Sequence, residues 1–406
     1  LRDRRAAANR DDIPTRFNDI QVLNKRLLNT TPKINKYKGD FILTKANYLL
    51  SHSVGRPLIE SEKFFNDKFF KPWSDGLAEP WQEWLQATDN FTSQLALLFS
   101  AKKEEFCPQI NLSSGLSKLL MSVEGLQNNK PIVLMSEIDF PGMGFVLKKS
   151  LPDDCEVRFI PANEDVTNFA VWEKYLTDDI DLVFISHAYS NTGQLAPIGK
   201  ALSLAKSKKI ISVLDVAQSV GIVPIDLEVL QPDFMIGSSV KWLCGGPGAA
   251  YLWINSKRLP FCHPRDVGWF SHENPFEFDI HNFRYRDSAL KFWGGTPSVA
   301  PYVVAGHSIS YFNNIGINKV RQHNQKLIEQ ISREFGDEFV SPRQEAKRGG
   351  TMILNFGSNQ NKILHRLNEN KISVDLRSQG IRISPHIYND DEDMTNLIEV
   401  IKATKF

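Results

Sequence analysis

Cysteine is scarce in this chain of 406 residues: Cys107, Cys155, Cys244 and Cys262 are scattered, with no Cys-x-x-Cys spacing. That excludes a disulfide framework and a cysteine zinc site, and the expectation is a reduced, cytosolic protein. No run approaches the roughly 18 uncharged apolar residues of a membrane span, and the first thirty residues are charged, unlike a signal peptide. No sign of charge dominates either: 48 Lys and Arg face 47 Asp and Glu. Nothing in that balance calls for nucleic acid or an anionic membrane as partner; a small zwitterionic ligand suits it better. His-Glu-x-x-His, a Walker glycine loop and Gly-x-Ser-x-Gly are all missing, and the nine histidines lack metal-ligand spacing.

What is present is an alternation of short apolar runs with helical stretches from about residue 60 to 300. The runs are 132 to 136, 157 to 161, 182 to 186, 210 to 215, 234 to 238 and 249 to 255. Near-continuous apolar strands separated by helices predict an α/β fold, a mostly parallel sheet covered on both faces in three layers. The chain length suits one large domain, 61 to 300, and a small α+β C-terminal domain, 301 to 406. Residues 1 to 60 form an extension and clasp that partly joins the small domain, and its first 45 or so residues are charged and sparse in apolar positions. Within the small domain the expected elements are a long helical region to about Phe335, a run 351 to 356, a helix around Ile363, and runs 372 to 376 and 381 to 384. A last helix starts from Asn389 as N-cap with Glu392 as capping-box partner, with Met394, Leu397, Ile398 and Ile401 on one face.

Ligands in such sheets bind beyond the carboxyl ends of the strands, where Ser186, Asp215 and Ser239 fall. Asp215 ends one apolar run, and Lys241 follows one crossover and one strand later, embedded in Ser-Ser-Val-Lys-Trp before Gly-Gly-Pro-Gly. A lysine able to form a Schiff base, with an upstream carboxylate able to keep a pyridine nitrogen protonated, is what pyridoxal phosphate requires of a protein. Taken alone, Asp215 is also an ordinary cap and Lys241 an ordinary solvated lysine; the pairing, with Gln218 three residues after Asp215, favours the cofactor. Lys241 then also moves protons between the substrate Cα and the cofactor.

The rest of a cofactor site is legible with less specificity. Ser113, Ser114 and the amide of Gly115 stand where a helix begins and suit a phosphate, although a serine-rich cap without a ligand is the commoner case. Phe140 suits stacking on the ring, or simply a core. Ser186, His187 and Asn191 sit where the ring hydroxyl wants hydrogen bonds, and His187 equally suits a structural role. Arg382, flanked by isoleucines on an apolar run, is placed to hold a substrate carboxylate through two parallel bonds, or to snorkel to water.

Leu-Ser-His-Ser-Val-Gly-Arg-Pro (50 to 57), Asp-Val-Ala-Gln-Ser-Val-Gly (215 to 221), Ser-Val-Lys-Trp-Leu-Cys-Gly-Gly-Pro-Gly (239 to 248) and Gly-Ile-Arg-Ile-Ser-Pro-His (380 to 386) resemble the landmarks of the class V aminotransferase group of fold-type I pyridoxal-phosphate enzymes. The likeness runs from about Tyr48 to Lys402. Within that group, Val-Gly-Trp-Phe-Ser-His-Glu-Asn-Pro-Phe-Glu-Phe-Asp (267 to 279) and Gly-Gly-Thr-Pro-Ser-Val (294 to 299) are similar to the kynureninase segment. The resemblance implies Trp269 and Thr296 reaching the cofactor phosphate across a homodimer interface, Ser53 and His272 near the substrate, and hydrolytic Cβ–Cγ cleavage that releases alanine and an aromatic acid.

Four positions depart from the kynureninase pattern. Val240 stands where kynureninases carry Tyr, which removes one phosphate hydrogen bond; Gly142 and Met143 replace a Ser-Asp pair; and Gln218, as in cysteine desulfurases, replaces His. A desulfurase needs a mobile cysteine in the C-terminal part, and none follows Cys262. The leading expectation is a kynureninase-like hydrolase. The alternatives are another class V enzyme, either a transaminase or a desulfurase or lyase, and a non-catalytic protein of the same fold.

Overall fold

The computed structural model describes residues 35 to 405, except 77 and 129. The first 34 residues of the expected extension therefore lie outside the described residues.

The described chain opens with β1 (Asn47–Tyr48) and then builds a seven-stranded sheet. Its members are β2 (Phe106–Gln109), β3 (Ile132–Ser136), β4 (Glu156–Ile160), β5 (Leu182–Ser186), β6 (Ile211–Asp215), β7 (Phe234–Ser238) and β8 (Ala250–Ile254). The spatial order is β2-β8-β7-β6-β5-β3-β4. β3 to β7 run parallel, while β8 is antiparallel to both β7 and β2. The five internal apolar runs predicted from sequence fall within a residue of their strands. β2, the other edge, was not foreseen, because Phe-Cys-Pro-Gln is short and carries a proline, which an edge position tolerates.

The period of two along each strand explains the layering. Val183 and Ile185 of β5 enter one buried apolar cluster with Leu214 and Met235, whereas Leu182 and Phe184 enter a second with Val213, Phe234 and Ile236. Successive side chains point to opposite faces, so a strand that is apolar throughout needs helices on both sides. On one face the helices Trp81–Phe99 and Ala300–Ile315 pack closely, with Gly306 at the crossing: a Cβ there would lie 3.0 Å from the Asn90 side chain. On the other face sit the helices Leu112–Ser122 and Pro141–Ser150.

A third cluster unites β9 (Met352–Leu354), β10 (Ile372–Ser373), β11 (Asp375–Arg377) and β12 (Gly380–Ile383) with the helices Ile317–Glu334, Gln360–Glu369 and Asp391–Lys405. β11, β12 and β9 form an antiparallel sheet, and β1 pairs in parallel with β10. The long helical region breaks at Gly316, whose φ of 86° no helix interior accepts. The last helix starts one residue later than read from sequence. Asp390 accepts from the Asp393 amide and Asp393 from the Asp390 amide, both at 3.1 Å, so these two form the reciprocal cap. Asn389 instead accepts from the His386 amide, and Glu392 lies in the first turn. Among the described residues no helix is long and apolar enough to cross a membrane.

Candidate active site

β3 and β5 are neighbours, but the chain leaves β3 for β4 at the sheet edge and returns on the other side. A crevice opens at such a reversal, beyond the carboxyl ends of the strands. The loops and strand ends there line a cavity of about 330 Å³. Ser186 ends β5, Asp215 is its register partner at the end of β6, and Ser238 ends β7. Lys241 enters three residues beyond β7, and Phe140 and Met143 close another side from the start of helix Pro141–Ser150.

Asp215 and Lys241 thus line one cavity and act on each other. Burial raises the Asp215 carboxyl above its usual range, opposed by the Ala217 amide, which donates to Oδ1 at 2.8 Å, and by the Lys241 charge. Burial likewise lowers the Lys241 ammonium, opposed by Asp215 and reinforced by the positive Arg382. A lysine with a depressed pKa holds a larger fraction of neutral amine, the form that attacks a carbonyl and accepts a proton.

The backbone around Lys241 is held from outside the sheet. Gly55 donates its amide to the Val240 carbonyl at 2.9 Å, and Gln218 donates to the His52 carbonyl at 3.1 Å. The segment 50 to 55 therefore runs between the lysine turn and the small sheet, carrying His52 inward while Ser53 stays exposed.

At the far wall, Asn111 caps the helix Leu112–Ser122 by accepting from the Ser114 amide at 2.8 Å, and the Gly115 amide donates to the Asn111 carbonyl. Those two amides are engaged in the helix. The first-turn amides of Leu112 and Ser113, with the Ser113 hydroxyl, are the donors that such a terminus offers an anion. Ser113, Leu112 and Asn111 line the cavity, whereas Ser114 does not.

The structure therefore brings together Ser113, Phe140, Ser186, Asp215, Gln218 and Lys241, and with them Met143 and Val240. It leaves several sequence candidates outside that lining. Ser239 is fully buried, its hydroxyl without a hydrogen-bond partner among the described residues, and its neighbour Ser238 lines the cavity instead. His187 is buried, depressed to about 3 by desolvation, and Asn191 lies on the loop beyond it without lining the cavity. Trp269 and His272 line a different cavity, of about 420 Å³. Both His272 ring nitrogens face backbone carbonyls, Asn274 at 2.9 Å and Asn282 at 2.8 Å, and Thr296 is exposed. Arg382 is buried on β12 and donates to Asp375 through Nε and Nη2.

Sequence reading missed Tyr189, Ser238, His52, Asp139 and Asp375. Asp139 is buried beside Asp215, with Oδ2 accepting from the Ser136 amide at 2.7 Å and Oδ1 without a hydrogen-bond partner among the described residues; burial raises it to about 7. Its place directly before Phe140 was the available signal. Asp375 carried no motif and emerges only from the β11–β12 register, which sets it opposite Arg382.

The donor set fits pyridoxal phosphate: a buried carboxyl and a buried amine on one cavity, a helix N-terminus with a serine at its end, and an aromatic ring at 59 % exposure at the mouth. Comparison with known proteins agrees with that fit. The profile of the Aminotransferase class-V family matches residues 113–397. The chain is 25% identical to an uncharacterized aminotransferase, YcbU, of Bacillus subtilis (strain 168) over 80% of this chain and 85% of the relative. It is also 25% identical to a kynureninase of Shouchella clausii (strain KSM-K16), over 92% of both. Among solved structures, the apo cysteine desulfurase of Thermococcus onnurineus NA1 superposes with a TM-score of 0.82 at 18% identity, covering 93% of this chain and 99% of that one.

Proposed function

We propose, from the premise that this chain belongs to the class V aminotransferase family, that it is a pyridoxal-phosphate-dependent hydrolase of the kynureninase kind, cleaving the Cβ–Cγ bond of an amino acid with a γ-carbonyl and releasing alanine. The single observation that carries the cofactor is the shared cavity of Lys241 and Asp215, each shifted toward its neutral form by burial. Bound there, the cofactor supplies an electron sink for charge that develops on the substrate Cα. Asp215 holds the proton on the ring nitrogen. Lys241, as the neutral amine, takes the Cα proton and returns one. Arg382, buried and close enough to depress the Lys241 ammonium, holds the α-carboxylate. Water adds to the γ-carbonyl, the Cβ–Cγ bond breaks, the Cγ fragment leaves as a carboxylic acid, and Cβ takes a proton.

The cysteines support hydrolysis over desulfuration. Cys107, Cys244 and Cys262 are buried, their thiols pushed up by desolvation, to about 12 for Cys107 and about 11 for Cys262. Cys155 is partly exposed but lies in another cavity, beyond β3 and β4. Among the described residues no cysteine lines the cavity of Lys241.

The reading includes a homodimer. Phe276, Phe278 and Ile280 are exposed at 49%, 78% and 91% beside Trp269, and such a patch calls for a partner surface. A second copy seated there lets Trp269 and Thr296 reach the phosphate of the neighbouring site.

The test is incubation of cofactor-loaded protein with kynurenine and 3-hydroxykynurenine, with quantitation of alanine and the aromatic acid. Visible-band changes without either product overturn the hydrolase and leave the cofactor. Conversion to the pyridoxamine form with a keto acid supports instead a transaminase, the second reading, which the similarity to YcbU favours.

A further inference from the structure

Arg382 is nearly enclosed, its side chain 6% exposed, and its fork is already engaged. Asp375, its partner across the β11–β12 ladder, accepts from Nε at 2.8 Å and from Nη2 at 2.5 Å, which takes the side edge of the guanidinium. Nη1 donates to the Ser190 carbonyl at 3.1 Å. Asp375 is itself fixed: His52 Nε2 meets Oδ1 at 3.0 Å, His52 Nδ1 meets the Ser384 hydroxyl at 2.6 Å, and Ser384 meets Thr351 at 2.9 Å. Burial keeps the His52 ring neutral, so with its proton on Nε2 it donates to Asp375 and accepts from Ser384. Asp375 also faces Arg377 at 3.2 Å. These bonds use three of the five guanidinium N–H groups and leave one on Nη1 and one on Nη2 for a second carboxylate.

We propose that Asp375 is a specificity-determining residue, a resident carboxylate that competes for Arg382, so that the site retains an amino acid through its amine and carboxylate together and rejects simple carboxylates. The inference rests on the reading of Arg382 as the carboxylate grip. A ligand carboxylate that meets an ion pair instead of a free guanidinium gains one edge of the fork and faces the negative charge of Asp375. An amino acid arrives as a zwitterion whose ammonium offsets the repulsion from Asp375, and a carboxylate without an amine has nothing to offset it. Selectivity of this kind is a difference of affinities achieved by weakening the wrong ligand. In a hydrolytic cleavage it favours release of an acid product that lacks an α-amine.

The experiment titrates propionate and alanine calorimetrically into cofactor-loaded wild type, Asp375→Asn, Asp375→Ala and Arg382→Ala. Removing the competing charge is expected to tighten propionate about tenfold, and to tighten alanine less, so that the preference for alanine shrinks. Arg382→Ala is expected to weaken both ligands. If Arg382→Ala weakens both while the Asp375 variants bind propionate no more tightly than wild type, the competitor role is overturned and the grip stands. If Arg382→Ala leaves alanine binding unchanged, the grip is overturned and this inference with it. Should both neutral variants lose the visible cofactor band, the competitor role is overturned and Asp375 is instead a structural support of the site.

Discussion

A Cβ built on Gly55 would stand 2.1 Å from the carbonyl oxygen of Lys241 and 2.6 Å from Cys244 Sγ. The N-terminal segment thus passes in backbone contact with the lysine turn, and the close approach permits the Gly55 amide to reach the Val240 carbonyl. Gly55→Ala forces that contact apart, because the atoms it meets include backbone that cannot swing away. The expected result is a loss of about 1–3 kcal/mol, the range of overpacked sites, read as a lower calorimetric midpoint. Weaker cofactor retention is expected with it, since the displaced atoms belong to the turn that carries Lys241. An unchanged midpoint with full cofactor content would show the segment free to move.

Lys241→Met separates the cost of the buried amine from its use. Burial depresses the folded-state pKa of Lys241, so in the cofactor-free protein the folded state binds this proton less readily than the unfolded chain. The penalty on folding is largest at pH below the folded pKa and fades as pH rises toward the ordinary lysine value. Cofactor-free Lys241→Met is therefore expected to be more stable than cofactor-free wild type near neutrality, with the gap closing as pH is raised, while it forms no lysine-linked visible band. Denaturant midpoints across that range decide the sign; a variant less stable at neutral pH would contradict the buried-charge account.

Much of the sheet was legible in the sequence because β5, β6 and β7 are buried on both faces and therefore read as unbroken apolar runs. The polar residues at their ends were conspicuous for the same reason, and they supplied Ser186, Asp215 and, by position, Lys241. What escaped was decided by pairing over long sequence distances. β1 has two residues and exists because β10, more than three hundred residues away, accepts it. Asp375 looked like any surface acid until the ladder set it against Arg382. Sequence took Ser239 where the structure has Ser238 on the cavity, because adjacent serines point to opposite sides and only the sheet fixes which side that is.

The last helix offers a local check. Asp390 and Asp393 cap each other's amides, and Lys38 reaches both carboxylates, at 2.7 Å and 3.3 Å. Asp390→Ala removes a side-chain cap and is expected to cost about 1 kcal/mol. Lys38→Ala removes a partly exposed pair and is expected to cost less, about 0–1 kcal/mol. Urea midpoints of the two variants order them; a larger loss for Lys38→Ala would make the tether to the N-terminal segment, and not the cap, the dominant contribution.

Asp139 gives the clearest pH signature. Desolvation raises its folded-state carboxyl to about 7, against the Ser136 amide and the neighbouring Ser186 hydroxyl and with help from the negative Asp215. A raised folded pKa means that the folded state holds this proton where the unfolded chain releases it, near about 3.9. The stabilising contribution is fully present below that unfolded value and is lost as pH rises through about 7. Asp139→Asn keeps the shape and one amide oxygen without the charge, so it is expected to resist denaturant better than wild type at pH 8 and to match it near pH 4. Midpoints measured on the cofactor-free proteins across that interval test the assignment. A constant offset at every pH would place the titrating group elsewhere, and a variant weaker at pH 8 would mean that the ionised carboxylate is satisfied by contacts to Ser136 and Ser186 strong enough to outweigh its burial.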